Sequence, residues 1–252
     1  MEFFDIIEEI VDDDLLFILK YGLLISNFIT IFILLYFKSK KQQNEKEEKK
    51  SVLLVTAHPD DEAMFFLPTI TYLNDNNYEI HLICLSKGNA NKMGKIREVE
   101  LEKCSKYLKI KKLTIINDKD LQDSMSVMWP IEKIQKIVEE YIDENNIKGV
   151  ITFDKKGISG HLNHIACYEA ISSMKRAEGL KVFVLETTNI LRKYSSILDF
   201  FVSCILNDNL MLNLNILKAW RSMKIHHSQF LWYRKLFVVF SRYAYINTLI
   251  KI

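Results

Sequence analysis

Ser51-Val52-Leu53-Leu54-Val55-Thr56-Ala57-His58-Pro59-Asp60-Asp61-Glu62 runs an unbroken apolar stretch into a histidine and three acids. An apolar run without alternation reads as a strand buried on both faces of a parallel sheet. The polar residues then emerge at its carboxyl end, where open α/β sheets build their sites. One imidazole and paired carboxylates offer the nitrogen and oxygen donors that zinc accepts, with a further carboxylate to act as a base. The competing reading is a strand-to-helix turn in which Asp60 or Asp61 only caps the next helix.

Downstream, short β-rich runs at Glu79–Ser86, Leu113–Asn117, Gly149–Phe153 and Lys181–Glu186 alternate with stretches of helical spacing. The helical stretches are Glu62–Asn74, Lys95–Leu108, Pro130–Glu144 and His164–Arg176, with apolar residues at i, i+3 and i+4. This order predicts an α/β fold with a Rossmann-like, doubly wound, mostly parallel sheet. Ser195–Leu217 and Gln229–Ile252 are apolar and aromatic and read as C-terminal helices. No glycine-rich phosphate loop occurs, so no nucleotide cofactor is indicated. The net charge of +2 carries little information, and no nucleic-acid partner is expected.

The amino-terminal region divides sharply. Residues 1–14 carry seven acids and no base, and residues 15–37 are apolar apart from Lys20. A helix of that length spans roughly 35 Å, enough to cross a bilayer. A buried core helix is the alternative, but it would normally keep a polar stripe. No small-residue cleavage site follows, so the expectation is an uncleaved transmembrane anchor over 15–37, a lumenal acidic tail over 1–14 and a solvated linker over 38–50. The linker is lysine-rich, which by the positive-inside rule places the main domain, 51–252, in the cytosol. Cys84, Cys104, Cys167 and Cys204 are widely spaced, as in a reduced domain where they fill the core.

A second polar cluster, Ser159-Gly160-His161-Leu162-Asn163-His164, follows the strand Gly149–Phe153. Histidines at i and i+3 on an opening helical turn face a similar side, and both clusters leave the same edge of a parallel sheet. They are therefore expected to share one metal site. The carboxy-terminal stretch from Lys218 holds seven lysines or arginines and no acid, interleaved with aromatics. Such a mix suits an interface bearing anionic lipid, and equally the packing of terminal helices against the sheet.

His58-Pro59-Asp60-Asp61-Glu62, Ser86-Lys87-Gly88-Asn89-Ala90, Gly160-His161-Leu162-Asn163-His164 and Met223–Trp232, in that order, resemble the motif set of the LmbE/PIG-L de-N-acetylases. The resemblance spans roughly residues 51–240 and is closest to the membrane-anchored branch acting on N-acetylglucosaminyl-phosphatidylinositol. It implies a zinc-dependent amide hydrolase (other divalent metals suit the same donors) that releases acetate from this glycolipid in the second step of glycolipid-anchor assembly. It also implies a single-pass protein of the endoplasmic reticulum membrane with membrane and glycosylated phosphatidylinositol as partners. By the same resemblance His58, Asp61 and His164 are the metal ligands, Asp60 the general base, and His161 a cation that stabilises the oxyanion or protonates the amine. Arg97 matches a position contacting the inositol phosphate, and a surface ion pair is its plainer role. His226 or His227 would line the sugar pocket, and Glu62 would orient a ligand from behind. A deacetylase of a soluble amino-sugar conjugate and a non-catalytic membrane adaptor are the alternatives.

Overall fold

A computed structural model describes residues 50–206 and 209–252. The expected tail, anchor and linker over 1–49 lie outside the described residues. Among the described residues, no helix is long and apolar enough to cross a membrane.

Five parallel strands form where the apolar runs predict them: β1 Ser51–Thr56, β2 Glu79–Cys84, β3 Lys112–Ile115, β4 Gly149–Phe153 and β5 Lys181–Leu185. β1 is central, and Leu53, Leu54 and Val55 are inaccessible to solvent because helices cover both faces. The sheet order is β3-β2-β1-β4-β5-β7-β6. The chain therefore builds outward on one side of β1, then crosses back to lay β4 on the other. That reversal puts the loops after β1 and β4 side by side at the carboxyl edge of the sheet.

The helix expected over Glu62–Asn74 is two: α1 Asp61–Met64 and α2 Leu67–Asp75. Pro68 has no N–H to continue the α1 ladder but fits the first turn of a new helix, so the chain breaks at Phe65–Phe66. Both phenylalanines are buried there. The helices α3 Gly94–Tyr107, α4 Ile131–Asn145 and α5 Leu162–Ser173 match the periodic stretches to within a few residues.

The carboxy-terminal expectation needs a larger correction. α6 Ile190–Lys193, α7 Phe200–Leu206, α8 Ile216–Ile225 and α9 Trp232–Phe240 are helical, but β6 Leu210–Leu212 and β7 Ile246–Lys251 are strands. β7 runs antiparallel to both β5 and β6. What holds it is tertiary: buried Asn247 accepts from the Thr69 amide (3.1 Å) and hydroxyl (2.7 Å) and donates to the Phe65 carbonyl (2.8 Å). Arg242, one of the carboxy-terminal cations, is fully buried and ion-paired with Asp199 at 2.6 Å, the packing role that the sequence also allowed.

Asn247→Leu keeps the branched shape of the side chain but strands the Thr69 amide and the Phe65 carbonyl without partners. Each buried orphan costs about 1–3 kcal/mol, so thermal denaturation followed by circular dichroism should show a clearly lowered midpoint with the native fold retained.

Candidate active site

Asp61 organises the loop after β1. Its Oδ2 accepts backbone amides from Ala57 (3.0 Å) and His58 (2.8 Å), so the carboxylate reaches back to the strand end instead of capping forward. Its Oδ1 faces His164 Nε2 at 3.3 Å. Asp60 sits in the left-handed region (φ 108°), a conformation a non-glycine residue holds only when its surroundings impose it. Here Glu62 supplies the constraint: its Oε2 accepts the Asp60 amide at 3.1 Å, and its Oε1 meets His226 Nε2 at 2.6 Å. No side-chain cap bond is made by Asp60. Its carboxylate instead lies between two guanidiniums, Arg234 on Oδ2 and Arg97 at 3.5 Å from Oδ1.

The loop after β4 delivers both histidines of the second cluster. Gly157 has φ 56°, and a Cβ there would stand 2.9 Å from the His164 Cβ, so only glycine lets this turn approach the helix. His164 stacks on Phe153 with ring centroids 3.9 Å apart, and its Nδ1 pairs with the Gly157 carbonyl at 3.1 Å. His161 caps α5: its Nδ1 accepts the Asn163 amide at 3.2 Å.

These partners assign the tautomers. His164 donates from Nδ1, leaving Nε2 a bare lone pair that is buried and without a hydrogen-bond partner. His58 Nε2 lies 3.0 Å from Asn163 Oδ1 and 3.2 Å from Asp123 Oδ1, so that nitrogen carries the proton and Nδ1 faces Asp61 unprotonated. Two imidazole lone pairs and a carboxylate oxygen thus converge, all within 4.8 Å of one another. Acceptors do not pack against acceptors in a buried site unless a cation or proton joins them. The donor set of His58, Asp61 and His164 fits a divalent metal of the zinc type.

The electrostatics agree. Burial raises the Asp61 carboxyl, but positive charge at the His164 and His58 rings outweighs this and holds it well below the usual range, so this point favours a proton or a metal ion between the three groups. Burial likewise works against a charged His58, yet the hydrogen bond to Asp123 and the nearby carboxylates raise its proton affinity, which makes it a stronger ligand. His161 is the exception. Burial first, then positive charge at His58 and His164, push it down to about 4, which with Nδ1 accepting from Asn163 favours a neutral imidazole where the expectation was a cation.

Arg97 borders the cavity with both Nη atoms engaged by protein: Nη1 donates to the Gly88 carbonyl (2.9 Å) and Asp123 (3.2 Å), Nη2 to the Pro59 carbonyl (2.7 Å). It ties the loops after β1, β2 and β3 together, and Gly88 is glycine because a Cβ there would lie 2.3 Å from that guanidinium. His226 is fully buried behind Glu62, and His227 is exposed; neither borders the cavity. Asp123, Asn163 and Arg234 are site residues that sequence reasoning missed. Asp123 follows β3 at the same sheet edge as the other loops, and that position was the available signal. His58, Asp60, Asp61, His161, His164, Asp123 and Arg234 all line one cavity of about 1150 Å³.

Comparison with known proteins matches residues 53–175 to the family described as PIG-L: GlcNAc-PI de-N-acetylase. The chain is 41% identical over 206 residues to a probable N-acetylglucosaminyl-phosphatidylinositol de-N-acetylase of Schizosaccharomyces pombe, covering 77% of this chain and 83% of that one. It is 40% identical over 203 residues to the N-acetylglucosaminyl-phosphatidylinositol de-N-acetylase of Bos taurus, covering 77% and 80%. Among solved structures it is similar in fold to N,N'-diacetylchitobiose deacetylase of Pyrococcus horikoshii, with TM-score 0.61, 18% identity and coverage of 83% and 86%.

If Asp123 sets the orientation and basicity of His58, Asp123→Ala should weaken zinc binding about 10- to 100-fold. Competition with a chromophoric chelator measures this directly, and unchanged affinity would remove Asp123 from the metal's support.

Proposed function

The chain belongs to the PIG-L family of GlcNAc-PI de-N-acetylases, and from that membership we propose how its own residues carry the reaction. The enzyme hydrolyses the N-acetyl amide of N-acetylglucosaminyl-phosphatidylinositol to glucosaminyl-phosphatidylinositol and acetate, a step of glycolipid-anchor biosynthesis. The observation that carries the site assignment is the bare His164 Nε2 facing Asp61 Oδ1 at 3.3 Å, an arrangement that a bound cation completes.

His58 Nδ1, Asp61 and His164 Nε2 are the metal ligands in this reading. A zinc ion there supplies a Lewis acid that lowers the pKa of water and polarises a carbonyl. Asp60 takes the proton from the attacking water. As water oxygen bonds to the amide carbon and the C–N bond breaks, the same carboxyl returns that proton to the departing glucosamine nitrogen. His161 donates from Nε2 to the developing oxyanion, a role that a neutral imidazole fills. Arg234 and Arg97 hold the Asp60 carboxylate in place, and Glu62 holds its backbone. We also propose that residues 15–37 anchor the chain in the endoplasmic reticulum membrane with this site on the cytosolic side. The lysine-rich residues 38–50 support that reading, and protease accessibility in sealed microsomes tests it.

Acetate release from N-acetylglucosaminyl-phosphatidylinositol by full-length protein should vanish on chelation and return with zinc. Asp60→Asn should lower kcat by about 10²- to 10⁴-fold while metal content stays at the wild-type level. Near-normal kcat in that variant would assign the base elsewhere.

A further inference from the structure

The mouth of the catalytic cavity is apolar on its exposed side. Met125 from the loop after β3, Tyr194 beyond α6, Leu231 just before α9, and Tyr233, Leu236 and Phe240 from α9 all line the cavity and are all exposed. Outside the cavity Trp232 (72% exposed) stands edge-on to Tyr233 at 5.9 Å, and Leu191 of α6 is 82% exposed. The segments are joined: Tyr194 meets Phe237 edge-on at 6.5 Å, and Ser196 Oγ donates to the Val239 carbonyl at 3.1 Å. A soluble surface rarely shows a contiguous apolar patch beyond a few hundred Å². Charge is one-sided as well. Lys235 is exposed over the Phe230 ring, residues 229–245 contain no acid, and Asp199, the one acid in 187–206, is buried against Arg192 and Arg242.

We propose that this rim is a docking face for the surface of a phospholipid bilayer carrying anionic headgroups, so that the cavity opens onto lipid. The inference rests on the reaction assigned above: a substrate whose acyl chains stay in the bilayer must reach Asp60 and His161 through whichever face meets the membrane. α9 is nine residues, about 14 Å, too short to span, so it lies in the interface with its aromatic side chains among the headgroups. Lys235 then meets lipid phosphates.

The test uses the full chain in phosphatidylcholine–phosphatidylserine vesicles whose acyl chains carry bromine, a short-range quencher of tryptophan emission. Wild-type emission falls relative to unbrominated vesicles; Trp232→Phe abolishes the fall, and Trp220→Phe preserves it. Leu191→Glu combined with Trp232→Glu lowers kcat/KM about tenfold on vesicle-embedded N-acetylglucosaminyl-phosphatidylinositol. The same variant acts normally on water-soluble N-acetylglucosaminyl-inositol phosphate. An unquenched Trp232 overturns the proposal: if acrylamide reaches it the face is open to water, and if not, residues 1–49 or a second copy cover it. Equal loss on both substrates overturns it too. Quenching needs no turnover, so wild-type inactivity on both substrates would overturn the assigned reaction while the bromolipid result still decides the docking face.

Discussion

Asp61 spends its two oxygens in opposite directions. Oδ2 is held by the Ala57 and His58 amides at the end of β1, and Oδ1 turns toward His164, which arrives from β4. One carboxylate thus welds together two loops more than ninety residues apart in sequence, at the place where the sheet order reverses. A buried carboxylate beside two imidazoles is costly unless positive charge, a proton or a metal ion, completes it. Everything else in the site is arranged around that point: Asp123 and Asn163 set the His58 tautomer, and the Gly157 carbonyl sets that of His164.

The residue next to this hub has a different problem. Asp60 must present a carboxylate to the cavity from an unfavourable backbone conformation, and a single strained residue costs on the order of 1–3 kcal/mol. The structure over-determines it: Glu62 and His226 fix the backbone from beneath, and two guanidiniums grip the side chain. Arg97 earns its burial by a second task, cross-linking the Pro59, Gly88 and Asp123 loops. A carboxylate held this way loses little entropy when a substrate arrives, which is the physical content of preorganisation.

The carboxy-terminal segments complete the site twice over. Antiparallel β7 extends the sheet and, through Asn247, fixes the Phe65–Thr69 break that positions α1. α9 then lays Arg234 against Asp60 while turning an aromatic and aliphatic face outward around the cavity mouth. Chemistry and access to a lipid are thereby coupled through one short helix. The sheet by itself does not specify the reaction, since a doubly wound scaffold hosts many chemistries; the side chains at its carboxyl edge do.

The five parallel strands and the helices α3 to α5 were legible because each rests on local pattern: unbroken apolar runs and helical spacing. That the His58–Glu62 and His161–His164 clusters meet needed only the rule that parallel strand ends share an edge; the choice of His58, Asp61 and His164 among them came from the family resemblance. Asp123 had only its place after β3 and Asn163 only its place inside the second cluster, and Arg234 had neither; what a carboxylate, amide or guanidinium does is settled by the partner that folding brings to it. β6 and β7 were read as helix for a related reason: their residues have no clear period, and bonds to Thr69, Phe65 and β5 decide their conformation. His161 shows the same division within one residue. Its presence and reach into the site followed from the His-x-x-His spacing, whereas its neutral charge was decided by burial and by two neighbouring imidazoles, which exist only once the chain has closed around them.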